Sequence, residues 1–188
     1  MGLGYTDLLV AQQAAGTSFG SFTTAKTVIN QEALRTLPSG YLYIGKSLHI
    51  KVRGGIGTLV TTPGTIVFQV MIGSVIAFST GAMQLNATAH TNLPFALDIE
   101  LTCRSIGAST AATLMGQAVV AGKMLTVTAG QTDGANSNTI LLAPATAPAV
   151  GTGFDSTIAS ILDFWAGFSI SDAANTIKIE QYKVFEDN

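Results

Sequence analysis

The stretch that decides the fold is residues 95–104, which read FALDIELTCR. Every odd position in it is apolar, whereas the even positions from 98 onward carry Asp, Glu, Thr and Arg. Because successive side chains of a β-strand point to opposite faces, this alternation is typical of a strand. The stretch therefore predicts a strand with one face in a core and the other face in water.

The same period of two recurs on both sides of this stretch. Apolar residues alternate with other side chains at 48–53, 66–72, 162–171 and about 176–185. Together with residues 95–104, these four segments predict five strands facing one core. Several strands separated by turn signals are typical of a β-sandwich or barrel, so the sequence predicts an all-β fold.

Turn-forming residues lie between the predicted strands. The sequence Thr62-Pro63-Gly64-Thr65 places Pro and Gly as a type II turn requires. Further breaks are predicted at Gly54-Gly55, at Asp133-Gly134 and over residues 171–175, and residues 143–148, with two prolines, predict an extended loop.

The N-terminal segment is the least regular part. Residues 6–15, Thr6 to Ala15, form the one helical candidate, although the segment could equally be an arm that docks on a neighbour. We therefore predict two parts, an N-terminal arm of residues 1–26 and a single β-sandwich domain of residues 27–188. Because residues 1–25 mix a short apolar run with Gly, Ser and Thr, we expect them to be mobile until they dock.

Charge is scarce in this chain. Asp, Glu, Lys and Arg make up 11% of the residues, against about 25% in a typical soluble domain. Residues 54–97, 105–122 and 134–154 contain none of them. Since a monomer needs dispersed charge to stay soluble, we expect part of this surface to be covered by a partner, above all around residues 75–83 and 111–120.

The composition also excludes several classes of function. A net charge of −2, without a basic N-terminal arm, argues against nucleic-acid binding. The apolar run of residues 70–83, between Gln69 and Gln84, is too short for the ~20 residues of a membrane-spanning helix. A single cysteine, Cys103, excludes an intramolecular disulfide and is interpreted as a small buried hydrophobe.

The candidate catalytic and metal-binding motifs are weak. Residues 16–20, GTSFG, match the nucleophile-elbow pattern around Ser18, but no helical pattern follows and no triad context is visible, so a loop is favoured. His49 and His90 lack a second ligand at metal-binding spacing. Asp98 and Glu100 share a strand face with Arg104, which favours a solvated or salt-bridged strand over paired catalytic carboxylates.

No catalytic, cofactor-binding or metal-binding residue is therefore predicted, and no cofactor. A dinucleotide-binding glycine motif is also missing. Trp165 lies on the strand face opposite Phe164 and Phe168, where a buried or interface aromatic is favoured over a sugar-binding platform. We expect a non-enzymatic protein.

Several short motifs resemble a group of small proteins encoded by tailed bacteriophages and prophages. They are NLPF (92–95), LTCRSIG (101–107), LMGQ (114–117), GTGFDST (151–157), LDFW (162–165) and IEQY (179–182), with LPSG (37–40) and GKSL (45–48). The similarity covers most of the chain after about residue 27. The resemblance implies a jelly-roll virion protein, such as a capsid decoration or cement protein, a head fibre or a related tail part, and it brings no catalytic residue with it.

The combined interpretation is a jelly-roll β-sandwich that forms a homotrimer and reinforces the outside of a phage head by binding the major capsid protein. It would be made in the host cytoplasm and reside on the virion. The alternative is a fibre or spike tip, or another tail protein used in host attachment. A major coat protein of a small virus is disfavoured because a genome-binding arm is missing, and a hydrolase using Ser18 because triad partners are missing.

Overall fold

The computed structural model describes residues 6–59, 61–127 and 138–187. These residues form thirteen strands and one 3-10 turn, Gln31–Ala33. The strands are β1 (Thr6–Ala11), β2 (Phe19–Gly20), β3 (Lys26–Thr27), β4 (Arg35–Leu37), β5 (Ser47–Thr58), β6 (Thr65–Ile72), β7 (Val75–Ser79), β8 (Met83–Gln84), β9 (His90–Ser105), β10 (Thr113–Gly122), β11 (Thr139–Ala143), β12 (Ser160–Phe168) and β13 (Thr176–Asp187).

The strands build two antiparallel sheets around one core. The larger sheet has the order β1-β13-β5-β9-β10-β11, with β2 also on β13. The smaller sheet has the order β3-β12-β6-β7, with β4 on β12 and β8 on β6. The predicted all-β sandwich is confirmed. Among the described residues no helix is long and apolar enough to cross a membrane.

The long strands pair in a nested manner. The first of them, β5, pairs with the last, β13, and β6 pairs with β12. This pairing joins early and late parts of the chain in both sheets. The three strands β9, β10 and β11 instead follow one another as direct neighbours in the larger sheet.

The period of two explains the core. Leu97, Ile99 and Leu101 of β9 are buried, while Asp98 and Glu100 between them are exposed. The five predicted strands correspond to β5, β6, β9, β12 and β13, and all five are confirmed. Aromatic rings join the two sheets, since the Phe68 ring of β6 stacks 5.5 Å from Phe95 of β9.

The predicted break at Gly54-Gly55 is wrong, because both glycines lie inside β5. A Cβ on Gly54 would lie 2.1 Å from the Lys178 carbonyl oxygen, and one on Gly55 would lie 1.9 Å from Asn92 Oδ1. The glycines therefore allow the neighbouring strands to approach closely.

The other predicted turns and loops that lie within the described residues agree with the structure. Gly64 has a φ of +76°, as the third position of a type II turn demands, and it lies between β5 and β6. Residues 171–175 connect β12 to β13, and residues 144–148 form a loop after β11. The break predicted at Asp133-Gly134 lies outside the described residues.

The helical candidate for residues 6–15 is wrong, because Thr6–Ala11 form β1 and pair with β13. The Leu-Leu-Val run reaches an open sheet edge, where edge pairing outweighs a weak helix propensity. β2 and β3 continue along the sheets, on β13 and β12 respectively. The described part of the predicted arm is thus bound along sheet edges in the single chain rather than free, and the division at residue 26 stays a prediction.

Candidate functional site

The outer face of the larger sheet contains two contrasting regions. Its charged half comprises the outward side chains of β13, β5 and β9, which include Lys51, Arg53, Asp98, Glu100, Lys183 and Asp187. Its uncharged half comprises the outward side chains of β10 and β11, which include Gln117, Val119, Ala121, Ile140 and Leu142. The strand pairing brings together residues that are far apart in the sequence.

Two adjacent hollows lie on this face. One, of about 340 Å³, runs from His49 and Lys51 across Glu100 to Leu142 and Pro144. The other, of about 260 Å³, is lined by Thr6, His49, Lys51, Phe185 and Asp187. His49 and Lys51 border both hollows. The larger hollow combines carboxylates with an apolar wall, so it can receive a small ligand that has polar and apolar parts.

The polar groups beside the hollows are paired with one another by hydrogen bonds. Arg53 donates two hydrogen bonds to the carboxylate of Asp98, at 2.9 and 3.1 Å. Asp187 accepts a hydrogen bond from the Thr6 hydroxyl at 2.7 Å, and its other oxygen lies 2.7 Å from His49 Nε2. The Thr6 hydroxyl, followed by His49, holds the pKa of Asp187 below its usual range.

This Thr-Asp-His arrangement does not form a nucleophile relay. In such a relay the imidazole lies between the hydroxyl and the carboxylate, so that it can take the hydroxyl proton. Here the carboxylate of Asp187 lies between Thr6 and His49. The contact instead fastens β1 and β5 to the end of β13.

The other residues considered in the sequence lie apart from one another. Ser18 is exposed in the irregular segment before β2, as the loop interpretation expects, although the last two residues of the motif, Phe19–Gly20, form β2. His90 pairs in register with Thr58, nine residues along β5 from His49, which separates the two histidines by roughly 30 Å. Asp98 is salt-bridged, as expected, although to Arg53. In the described part of the chain no group of three or more candidate ligands could hold a metal ion.

Cys103 follows the sequence interpretation, whereas the interface role considered for Trp165 stays a prediction. Cys103 is buried, and burial raises the pKa of its thiol. Trp165 is half-buried on the outer face of the smaller sheet, whereas Phe164 beside it is buried. The indole N–H of Trp165 donates to Asp163 Oδ2 at 2.6 Å, and Thr27 donates to Oδ1 at 2.8 Å.

One end of the sandwich is held together by a buried charge that sequence reasoning missed. Lys46 is 5% exposed and lies 2.7 Å from Glu186, while the Tyr41 and Tyr43 rings lie 4.3 and 5.3 Å from its Nζ. The Tyr41 hydroxyl also hydrogen-bonds to Glu186, and burial, followed by this hydrogen bond, raises the pKa of Tyr41. Two nearby tyrosines were the only sequence signal. The cluster pins the loop of residues 38–46 to β13.

Two further loops are fixed at the same end. Gly40 N–H donates to the Ser156 carbonyl, and Ser156 N–H donates to the Gly107 carbonyl. Asp155 accepts hydrogen bonds from the Ser109 and Thr157 backbone N–H groups, both at 2.8 Å. Loops that are tied in this way present their remaining side chains in fixed positions.

These loops expose apolar side chains. The residues, between 46% and 64% exposed, are Tyr43, Ile44, Ile106 and Ile158, and we call this surface the apolar end. Exposed single hydrophobes are ordinary, but several on one pinned end make this surface a candidate for contact with a partner. In comparisons with known proteins, the sequence matches no protein-family model and no curated protein.

Proposed function

We propose that this chain is a virion structural protein, a decoration or cement protein that binds the outside of a phage head and stabilises it. The observation that carries the proposal is the apolar end, where pinned loops present Tyr43, Ile44, Ile106 and Ile158 to the outside. The low charge content and the resemblance of the sequence motifs support the same role. This role requires no catalytic activity of the protein.

The mechanism would be burial of apolar surface against the major capsid protein. Each square ångström of apolar area removed from water contributes about 25 cal/mol, and a standard interface covers about 800 Å² per partner. Ordering costs are subtracted from this, and loops that are already pinned reduce those costs. We also propose that the protein acts as a homo-oligomer, with three copies as the expected number.

A second candidate is a fibre or spike tip used in host attachment. The observation that favours it is the hollow of about 340 Å³ beside Glu100, Gln117 and Leu142, which could receive a small ligand of the host surface. The copy number per particle distinguishes the two roles. Mass spectrometry of particles from the encoding virus should find hundreds of copies for decoration and a handful for a tail tip.

Particle binding tests the apolar end. Ile44→Asp and Ile158→Asp each introduce a charge into the proposed contact, so both should reduce binding to undecorated particles at least tenfold. Val127→Asp is the matched control, because Val127 is also an exposed apolar residue, 77% exposed, outside this end. Equal binding by all three variants and the unchanged protein would overturn the proposed docking surface.

A further inference from the structure

Sheet edges present unpaired backbone N–H and C=O groups, and soluble proteins blunt or cover them. Each of the two sheets here has two edges. In the larger sheet they are β1 and β11, and in the smaller sheet β7 and the short strands β3 and β4. Comparing these four edges shows which of them is open to pairing with a strand of a partner.

Two edges are blunted by charge and by irregular or short strands. β1 contains Asp7, and its register with β13 shifts between Leu8 and Val10. β3 and β4 have only two and three residues, and they contain Lys26 and Arg35. Charges, bulges and short strands are the features that prevent edge-to-edge pairing.

A third edge is covered by the chain itself. A Cβ on Gly151 would lie 1.9 Å from the Ala77 carbonyl oxygen of β7. The neighbouring residues Val150 and Phe154 form bridges to Met115 and Ala112 of the β10 region. The segment 150–154 thus runs between β7 and β10 and closes the β7 edge.

The β11 edge has none of these protections in the described part of the chain. Its five residues, TILLA, include no charge, and it is the last strand of its sheet. Ile140 is 67% exposed and Leu142 is 74% exposed. Leu142 pairs in register with Val119 of β10, which is 43% exposed, so edge and face form one apolar surface.

We propose that the β11 edge binds β11 of a second copy of this chain, in antiparallel register, and joins two larger sheets into one. The strand is self-complementary: centred on Leu141, the register places Ile140 beside Leu142 of the other copy. Neither strand carries a charge that would repel the other. The pairing satisfies the free backbone groups and covers Ile140 and Leu142 on both copies.

This inference rests on the proposed homo-oligomer and specifies one of its contacts. The contact relates two copies by a two-fold axis and therefore closes at two. If the copies also form trimers through other surfaces, the β11 contact would link one trimer to another. A strand of five residues is only about 17 Å long, so we expect association that depends on concentration in the micromolar range.

A charge at the edge tests the contact. At a micromolar concentration at which the unchanged protein is fully associated, Leu142→Lys should halve the mass measured by light scattering, and a monomeric unchanged protein would overturn the contact. Ile44→Lys is the matched control at an exposed apolar residue of the apolar end, and it should leave the mass unchanged. An unchanged mass for Leu142→Lys would overturn the β11 contact and leave the decoration role standing, because particle binding measures that role separately.

A cysteine tests the register and serves if the lysine variant fails to fold. In the proposed register residue 141 lies opposite itself, within the Cα separation that a disulfide needs. Leu141→Cys should therefore give a covalent dimer on mild oxidation, whereas the unchanged protein, whose Cys103 is buried, and Ile44→Cys should give little. No dimer above these two controls would contradict the register.

Discussion

The two halves of the larger sheet's outer face have the same backbone pairing but opposite surfaces. On the charged half, Arg53 and Asp98 form an ion pair across neighbouring strands. On the uncharged half, the corresponding positions are occupied by Val119 and Leu142. The inner side is alike in both, since Leu101 of β9 and Leu114 of β10 are each buried. The inner row thus specifies the fold, while the outer row divides the face into a charged part and an uncharged part, and we propose that the uncharged part meets a partner.

The charges on the charged half serve solvation more than stability. An exposed ion pair contributes about 0–1 kcal/mol to folding, because both side chains lose freedom and water screens their attraction. Arg53 and Asp98 are 40% and 49% exposed at their side chains, so their pair belongs to this class. Losing such charges would leave the fold intact and make the surface less soluble.

The largest expected effect is on the inner row beneath the charged half. Leu101 is fully buried in the middle of β9. Leu101→Ala should lower the free energy of unfolding by about 2–5 kcal/mol, through lost burial and the cavity that remains. Denaturant titration measures this loss.

The neighbouring outer residue provides the control. Glu100 is exposed, so Glu100→Ala should change the free energy of unfolding by less than about 1 kcal/mol. Equal losses for Glu100→Ala and Leu101→Ala would contradict the assignment of inner and outer faces.

Acid should weaken the attachment of β1 to β13, at the border of the charged half. It should leave the β11 edge unaffected. The pKa of Asp187 lies below its ordinary value of 3.8, so its stabilising contribution is complete above that value and is lost as the pH falls through the folded-state pKa. Amide exchange of β1, corrected for the intrinsic rate, should therefore rise a few-fold below about pH 4. Thr6→Val should remove part of this dependence, and an equal acid response at β11 would contradict the account.

The smallest expected effect concerns Tyr182 on the inner face of β13. Its hydroxyl is the one buried side-chain polar atom of the described residues without a hydrogen-bond partner. Burial raises the pKa of this phenol. Because an unsatisfied buried hydroxyl costs free energy, Tyr182→Phe should leave stability unchanged or raise it by about 1 kcal/mol. Thermal unfolding would show this, and a loss of more than about 1 kcal/mol would indicate a hidden partner.

The local sequence pattern was sufficient to predict the long strands. It was insufficient where contact with a distant segment determines the local structure. The alternation in residues 95–104 predicted β9 because one face of a strand must be apolar. Gly54-Gly55 looked like a break, since nothing local reveals that Lys178 and Asn92 approach them. Thr6–Ala11 joined a sheet edge that only the folded β13 provides.

The candidate surfaces were predictable only in part. The charge-free stretches indicated covered surface, and residues 111–120 include Val119 of the uncharged half. The apolar end could not be predicted, because its loops are distant in sequence and are brought together by bonds such as Gly40 to Ser156. The burial of Lys46 was likewise invisible, since its partner Glu186 follows it by most of the chain.

The central claim is that the uncharged surface of this sandwich is covered by copies of the chain. Size exclusion coupled to light scattering on the unchanged protein, over a range of micromolar concentrations, tests it most directly. The account predicts a mass above that of the 19.4 kDa chain that rises with concentration toward a multiple of it. A sharp monomer of 19.4 kDa at every concentration would contradict it.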